Sequence, residues 1–372
     1  DRLIADLEAI KGDALRLYPF ASGTGYAANT SRVTTCAIYA LLADLYLWKN
    51  DYQHCIDYCN RVLAYKMERY EEMKEEDPES ANELELWYDK YPLYQEQPAG
   101  NNQGNVYNHI FGQGNSFESI FELYFQTNQP TTNTLVSSFF GNTSTPVGQC
   151  AAYSGLSNGR YDKNNNVFRP SDCRVPEFFE EQSGGQCCIR KYAYQSTSFT
   201  ISKSGNITQP ARPGQMRSNS YANWIIYRLT DVMLMKAEAE VEIGTPNAMD
   251  DAFQLVSTLY NRANNFNTAS ADTLVRADYA NKMRELVLEE RRRELLFEGK
   301  RWYDLVRLSL RQNDNTYLVN SVTQKQKERA QAISLQLQDP NALFWPYLES
   351  ELDANPKLRQ NEAYIKSETS QK

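Results

Sequence analysis

The chain contains 372 residues, of which 41% are hydrophobic and 23% charged, and it carries a formal net charge of −8. A chain of this size and composition can bury a large core, and its acidic balance disfavours a nucleic-acid partner because like charges repel. No stretch approaches the roughly 20 apolar residues that a membrane-spanning helix requires.

The first residues already form an amphipathic pattern. Leu3, Ile4, Leu7 and Ile10 recur at helical spacing. We therefore expect the chain to open inside or just before a helix. We also expect that an N-terminal segment, with any export or lipidation signal, is missing.

Two pairs of apolar segments predict antiparallel helical hairpins. Residues 33–48 are apolar or small on most faces, and Asp51 is placed to cap a second helix over residues 52–65. Residues 227–243 and 248–263 form a second pair, separated by a turn that contains glycine and proline. Residues 279–299, followed by 301–310, would make a third pair, as in stacked repeats.

The middle of the chain has a different character. Residues 95–215 are rich in Asn, Gln, Gly, Ser and Thr, and only 119–125 and 188–194 have the pattern of strands. Because this stretch offers little apolar surface, we expect it to lie across the helical scaffold. The glutamate-rich run over 68–89 is interpreted as solvent-exposed surface.

These patterns predict a mostly α fold. Tetratricopeptide-like helical hairpins form the scaffold, and a long, loop-rich, weakly β insertion covers one side of it. The chain is interpreted as one domain, 1–372, with four parts. They are the N-terminal helices and first hairpin (1–70), a loop-rich ligand-binding region (71–220), further hairpins (221–311) and a C-terminal segment (312–372).

The cysteines and histidines form no metal-binding or catalytic pattern. Only two histidines are present, which leaves a zinc site short of ligands, so no metal and no cofactor is expected. Cys150, Cys173, Cys187 and Cys188 leave a disulfide open, but free, partly buried thiols are favoured.

The segment 282–299 places charges in an apolar stripe. On a helix, Glu290 and Glu294 fall between apolar residues along one face, so both carboxylates need partners. A general acid and base of a glycoside hydrolase would fit this pair. The neighbouring arginines favour the alternative, since positive charge lowers the pKa of a carboxylate and holds it ionised. We therefore predict a structural ion network that includes Glu290, Arg293, Glu294 and Arg301.

The same residues resemble a known family. Residues 289–307 (EERRRELLFEGKRWYDLVR) closely resemble the signature of SusD/RagB-like proteins, which are the starch-utilisation-system-D-like nutrient-binding lipoproteins of Bacteroidetes. Three further segments resemble that family in the same order: 118–124 (ESIFELY), 227–240 (YRLTDVMLMKAEAE) and 344–364. One departure is Pro346-Tyr347-Leu348, where family members usually have Pro-Ile-Pro.

The resemblance implies a tetratricopeptide-like fold and a role without catalysis. A SusD-like protein captures oligosaccharide or polysaccharide and delivers it to a SusC-like TonB-dependent transporter of the outer membrane. The resemblance also implies a lipid anchor that holds the protein on the outer leaflet, and we expect this anchor to be missing from the given chain. Some members capture peptides instead, and that alternative stays open. A glycoside hydrolase with a helical fold is the third alternative.

Candidate ligand-binding residues follow from the physics of sugar recognition. The apolar C–H faces of sugar rings stack on aromatic side chains, and polar side chains reach the hydroxyls. Aromatic residues in polar loops are therefore the candidates, with the alternative that each ring merely fixes its loop to the scaffold. The candidate residues are Trp87, Tyr153, Asn158, Arg160, Tyr161, Asn164 and Phe168. Other aromatic residues near the family motifs are predicted to be core: Trp48, Tyr107, Phe111, Trp224, Trp302 and Trp345.

Overall fold

The computed structural model divides the chain into two compact units, Asp1–Gly299 and Lys300–Lys372. The described residues are 1–19, 27–76, 78, 86–125, 132–152, 156, 167–169, 171–181, 187–209, 214–218, 221–264, 274–276, 280–324 and 327–365. The boundary between the units falls within the segment 221–311 that the sequence assigned to helical hairpins.

The first unit begins with helices. They are α1 (Arg2–Ile10), α2 (Ala27–Thr30), α3 (Thr35–Trp48) and α4 (Tyr52–Glu76). The predicted first hairpin is confirmed, because α3 packs against α4. Small residues such as Ala40 and Ala43 are fully buried on α3 and allow close approach of the helices. Asp51 caps α4 by accepting a hydrogen bond from the backbone N–H of His54 at 3.4 Å.

The second hairpin joins α8 (Leu229–Ile243) and α9 (Pro246–Asn264), which pack against each other. Gly244 ends α8 in the left-handed region with φ +70°, where glycine carries no steric penalty. α8 also contacts α3, α4 and α10 (Ala280–Glu294), so it is buried on nearly all faces. Its start is two residues later than predicted because Tyr227 and Arg228 belong to a strand.

The first helix of the third predicted pair ends earlier than proposed. α10 ends at Glu294 and not at residue 299, and the helix that follows belongs to the second unit. The physical reason lies at the carbonyl oxygen of Glu294, which accepts hydrogen bonds from Arg228 (2.7 Å) and Lys191 (3.1 Å). These side chains take the place of the next backbone N–H of a helix, and Phe297 then adopts φ +65°.

The middle of the chain is built from short strands and helices. The strands up to residue 181 are β1 (Leu86–Tyr88), β2 (Tyr91–Tyr94), β3 (Asn102–Gln103), β4 (Ser119–Leu123) and β5 (Phe179–Glu181). The later strands are β6 (Cys187–Ile189), β7 (Tyr194–Thr197), β8 (Phe199–Ile201), β9 (Ile207–Thr208), β10 (Gly214–Met216) and β11 (Trp224–Arg228). The helices are α5 (Asn105–Tyr107), a π-helix (Asn108–Gln113), α6 (Thr134–Phe140) and α7 (Arg174–Phe178).

All strand pairs among the described residues are antiparallel, as in β4 with β11 and β5 with β6. The strand predicted over 119–125 is confirmed as β4. The strand predicted over 188–194 is divided into β6 and β7, because Tyr192 has φ +66° and the chain turns there.

The insertion has more apolar surface than its composition indicated. A second hydrophobic cluster, distinct from the core of the hairpins, takes most of its residues from this region, and about half of its buried members are aromatic. Phe111, for example, makes edge contacts with Phe178 and Tyr192 at 6.2 and 5.3 Å between ring centroids. The two clusters nevertheless share elements, since Leu93 of the insertion belongs to the core of the hairpins and Tyr70 of α4 belongs to the second cluster. The expectation that this stretch lies across the helical scaffold is therefore confirmed, and its aromatic rings add a core of their own.

The second unit is helical. It contains α11 (Arg301–Gln312), α12 (Thr316–Thr323), α13 (Ala330–Leu337) and α14 (Glu349–Ala354). Short 3-10 turns lie at Lys327–Arg329, Pro340–Leu343 and Glu362–Tyr364. Within this unit α11 buries Leu305 and Val306 beside an ion pair of Asp304 and Arg307 at 2.9 Å.

The aromatic residues predicted as core have different environments. Tyr107 and Phe111 are buried, and Trp48, Trp224 and Trp302 are partly buried. Trp345 is 74% exposed, so its assignment to the core is wrong. The physical reason is that hydrogen bonds to the carbonyls of Phe344 and Tyr347 hold the chain on either side of Trp345 without burying the indole.

Candidate functional site

A buried network of charges surrounds Glu294 at the end of α10. One carboxylate oxygen, Oε1, accepts from Arg228 of β11 and Arg262 of α9, both at 2.8 Å. The other, Oε2, lies 3.1 Å from Arg174 of α7. Three separate elements therefore meet at one carboxylate. Burial would raise the pKa of Glu294, but Arg262, Arg228 and Arg174 outweigh it and hold the pKa well below its ordinary value.

Glu290 extends this network by one helical turn. Its Oε1 accepts from Arg174 at 2.7 Å and its Oε2 from Arg293 at 2.8 Å. Arg174 is also held in a two-pronged contact with Asp172, at 2.9 and 2.8 Å. Such paired forks are the strongest geometry that an arginine and a carboxylate adopt. Each oxygen of Glu290 and Glu294 thus has a cationic partner.

Glu298 forms the other edge of the network. It accepts from Lys191 at 2.7 Å and from two nitrogens of Arg228 at 2.8 and 3.0 Å. Burial would raise the pKa of Glu298, but Arg228 and Lys191 lower it below its ordinary value. Burial also lowers the pKa of Lys191 to about 8, although Glu298 partly opposes the shift.

The arrangement gives little scope for acid–base chemistry. A general acid must hold a proton near the working pH, whereas arginines keep Glu294 ionised. The cavity beside Glu294 has a volume of about 20 Å³, which suits roughly one water molecule and no substrate. Among the described residues, no group of three or more His, Cys, Asp or Glu side chains could hold a metal ion.

Several partners of the network were not predicted from the sequence. Arg174, Arg228 and Arg262 lie far from Glu294 along the chain, and nearby Arg291 turns to Asp231 at 3.1 Å. A signal was present in α9, where an arginine, Arg262, occupies the buried apolar face. Arg301 lies in the second unit, and its guanidinium is 5.9 Å from the ring of Tyr317.

The candidate ligand-binding residues are only partly visible. Tyr153, Asn158, Arg160, Tyr161 and Asn164 lie outside the described residues.

Two of the candidate rings can be placed. Trp87 of β1 is partly buried and stacks on Tyr70 of α4, with 4.9 Å between the ring centroids. Phe168 is 1% exposed and packs on Phe179 at 5.6 Å, so its ring faces the aromatic core and presents no face to a ligand.

A small crevice that the sequence did not indicate lies between α4 and the start of β4. Its volume is about 40 Å³, and Lys66, Arg69, Thr30 and Ser116 are among the lining residues. Lys66 donates to the carbonyls of Phe117 (2.5 Å) and Ser119 (2.7 Å), and burial lowers its pKa. The buried lysine beside the crevice therefore links α4 to the start of β4.

The second unit exposes a run of apolar side chains. Phe344, Trp345, Tyr347 and Leu348 are all among the exposed large hydrophobic residues.

In the described parts of the chain, no helix combines the length and the apolar character needed to cross a membrane.

Comparison with known proteins gives one consistent result. Residues 177–364 match the model of the SusD family. SusD-like protein P38 of Formosa agariphila is 33% identical over 144 residues, which is 38% of this chain and 25% of that protein. SusD-like protein P2 of the same organism is 35% identical over 99 residues, or 26% of this chain and 19% of P2.

Solved structures extend the likeness to nearly the whole chain. A SusD superfamily protein from Bacteroides vulgatus superposes with a TM-score of 0.56 at 18% identity, covering 98% of this chain and 64% of that one. Surface glycan-binding protein A from Bacteroides uniformis gives a TM-score of 0.55 at 19% identity, covering 97% and 68%. At this identity the likeness concerns the fold. The chain spans about two thirds of the length of these structures and a quarter or less of the curated relatives.

Proposed function

Because the chain belongs to the SusD family, we propose that it captures oligosaccharide or polysaccharide at the cell surface and delivers it to a SusC-like TonB-dependent transporter. The match of residues 177–364 to the family model is the observation that carries this proposal. The fold shared with surface glycan-binding protein A supports a carbohydrate as the ligand. In this proposal a lipid anchor holds the protein on the outer leaflet of the outer membrane.

The chemistry of the buried charges supports binding without catalysis. Glycoside hydrolysis needs two carboxyl groups beside the substrate, one of which can give up a proton. Glu290 and Glu294 are almost completely buried, and an arginine contacts each of their four carboxylate oxygens. We therefore prefer a binding protein to a hydrolase with a helical fold.

Calorimetric titration tests the proposal directly. The purified chain is titrated with plant, microbial and host oligosaccharides and, in parallel, with peptides of similar mass. We expect saturable heat from at least one oligosaccharide and no release of reducing sugar on long incubation. Binding of peptides alone would move the protein to the peptide-capturing branch of the family. Release of reducing sugar would revive the hydrolase.

The transporter requires a separate experiment. The whole lipid-anchored protein is purified from outer membranes in mild detergent with an affinity tag. We expect a TonB-dependent transporter to co-purify in a fixed ratio, and its absence under conditions that keep other membrane complexes intact would contradict this part of the proposal.

A further inference from the structure

The small crevice between α4 and the start of β4 holds a buried cation that has no carboxylate partner. Lys66 lines the crevice and is 8% exposed, and its ammonium donates to the carbonyls of Phe117 at 2.5 Å and Ser119 at 2.7 Å. Of the three N–H donors of an ammonium, these bonds to described residues engage two. A buried charge that meets only neutral oxygens is costly, so an anion beside Lys66 would be stabilised.

Arg69 brings a second cation to the same crevice from the next turn of α4. One of its terminal nitrogens, Nη1, contacts Glu72, and Glu72 is shared with Arg16 at 2.7 Å. A guanidinium has five N–H donors in a planar fork, so one contact with a shared carboxylate leaves most of them available. Lys66 and Arg69 therefore give the crevice an excess of positive charge.

The carboxylates that act on Lys66 from farther away do not cancel this excess. Glu118 is paired with Arg262 at 2.8 Å, and Glu122 accepts from the side-chain amide of Asn223 at 2.8 Å. Burial raises the pKa of both carboxyl groups, which favours their neutral forms. Burial also lowers the pKa of Lys66, as expected for an ammonium without a full counter-charge.

The size and the walls of the crevice suit a small planar anion. Its volume of about 40 Å³ has room for roughly three water-sized groups, and a carboxylate is one carbon with two oxygens. Leu17, Phe117 and Ile120 are among the lining residues, and charges attract each other more strongly beside such apolar walls than in water. The hydroxyl of Thr34 also lines the crevice. It accepts from the backbone N–H of Ala37, which leaves its own O–H to donate.

We propose that this crevice binds a carboxylate group, whose two oxygens are contacted by Lys66 and Arg69. The site goes beyond the proposed capture of saccharides and does not depend on it, because a free small acid and the acid group of an acidic saccharide carry the same carboxylate. Two other occupants fit less well. The two side chains would repel a cation, and a tetrahedral phosphate or sulfate is bulkier than the crevice allows.

Methyl NMR of the whole chain can locate the site, because Ile120 lines the crevice and Ile201 lies in a separate cluster. The isoleucine δ1 methyl groups are labelled, the Ile120 signal is assigned with Ile120→Val, and acetate is titrated at an ionic strength held constant with sodium sulfate. We expect the Ile120 signal to shift saturably while that of Ile201 stays. Acetamide has nearly the same shape without the charge and should shift neither. An Ile120 signal that does not move, or that moves equally with acetamide, would overturn the proposal.

Charge variants give the second part of the test. Arg69→Gln and Lys66→Met each remove one cation and should weaken acetate binding by about tenfold or more. Arg61→Gln removes an exposed cation of the same helix outside the crevice and should leave the affinity unchanged. Because Lys66→Met also breaks two hydrogen bonds between α4 and β4, its methyl spectrum verifies the fold, and Arg69→Gln keeps the test decisive if that variant unfolds. Equal affinity of Arg69→Gln and wild type would refute the site.

A further titration identifies the source of the carboxylate. A trisaccharide of galacturonic acid is compared with its neutral methyl ester and with acetate through the shift of Ile120. Tighter binding of the acidic trisaccharide than of acetate assigns the site to an acidic saccharide, and binding of acetate alone assigns it to a free small acid. An equal response to acid and ester, or a response to inorganic phosphate as strong as that to acetate, would contradict recognition of a carboxylate. None of these results changes the calorimetric test of the proposed function.

Discussion

The carboxyl group of Glu177 hydrogen-bonds that of Glu96 inside the first unit, where both side chains are buried. Glu96 accepts three backbone N–H groups, from Gly104 (2.7 Å), Asn105 (3.0 Å) and Val106 (2.8 Å), at the start of α5. Its two oxygens are therefore committed as acceptors. The proton that joins the two carboxyl groups belongs to Glu177, whose Oε1 accepts no hydrogen bond within the described residues.

This pair predicts a stability that falls as the pH rises. Burial, with the charge and hydrogen bond of Glu96, raises the pKa of Glu177 well above 4.5, although Arg262 partly opposes the shift. Below about 4.5 the folded and unfolded chains both hold the proton. Above it only the unfolded chain releases the proton, so Glu177 lowers the free energy of unfolding by up to about 1.4 kcal/mol per pH unit until the folded pKa is reached.

Glu177→Gln should remove this loss, because an amide still donates to Glu96 but does not titrate. Urea unfolding at a series of pH values should show that the free energy of unfolding of Glu177→Gln rises relative to that of wild type between pH 5 and 8. Glu75→Gln, at an exposed position, should follow wild type. Parallel curves for Glu177→Gln and wild type would show that Glu177 ionises as in water.

The buried network predicts a large cost for removing Glu294. Glu294→Ala leaves Arg174, Arg228 and Arg262 without their common acceptor, and breaking one side of a buried pair costs about 3–5 kcal/mol. Glu285→Ala on the same helix removes an exposed pair with Lys282 and should cost less than about 1 kcal/mol. Denaturant unfolding measures both, and similar costs would contradict the network.

The depressed pKa of Glu294 also predicts a loss of stability at acidic pH. The folded pKa of Glu294 is depressed, so its contribution is present above the unfolded pKa and is lost as the pH falls through the folded pKa. The difference in unfolding free energy between wild type and Glu294→Gln should therefore shrink steadily below about pH 4.5. A difference that stays constant to pH 2 would exclude this linkage.

Substitutions at two glycines distinguish the cost of backbone strain from the cost of steric overlap. Gly100 and Gly104 have φ +94° and +110°, but a Cβ on Gly100 would meet nothing within 4 Å, whereas one on Gly104 would lie 2.4 Å from the carbonyl oxygen of Thr197. Gly100→Ala should cost about 1–2 kcal/mol and Gly104→Ala several kcal/mol more. Thermal unfolding gives the comparison, and equal costs would mean that the end of β7 at Thr197 moves freely to relieve the overlap.

The two described candidates for ligand binding should respond differently to alanine. Phe168→Ala empties a buried site and should lower the free energy of unfolding by about 3–5 kcal/mol. Trp87→Ala, like Tyr153→Ala and Tyr161→Ala, is proposed to weaken oligosaccharide binding. If none of the three changes the affinity in calorimetry, the proposed loop site is wrong.

The sequence predicted the elements whose signals are local. The hairpin of α3 and α4 follows from apolar periodicity and the capping position of Asp51, which depend on a few neighbouring residues. The end of α10 could not be predicted in this way, because Arg228 and Lys191 reach the carbonyl of Glu294 from distant parts of the chain. Terminations set by tertiary contacts leave no signal in the local pattern.

The burial of individual aromatic side chains also could not be predicted from the sequence. Phe168 stands among polar residues yet lies in a core, and Trp345 stands in a family motif yet lies on the surface. Neighbours in sequence do not determine which way a ring turns when the segment is irregular. For Trp345 the deciding contacts come from Gln360 and Asn361, which hold the backbone and leave the ring outside.

The charges around Glu294 have a consequence for the order of folding. Arg262 and Glu118 are 144 residues apart along the chain, and Arg174 and Glu294 are 120 apart. Ends so distant close at a high cost in chain entropy, and a charge that leaves water before its partner arrives pays the full desolvation cost. We therefore expect the network to assemble after the folding barrier has been crossed, so that Glu294→Ala mainly speeds unfolding and leaves the refolding rate nearly unchanged.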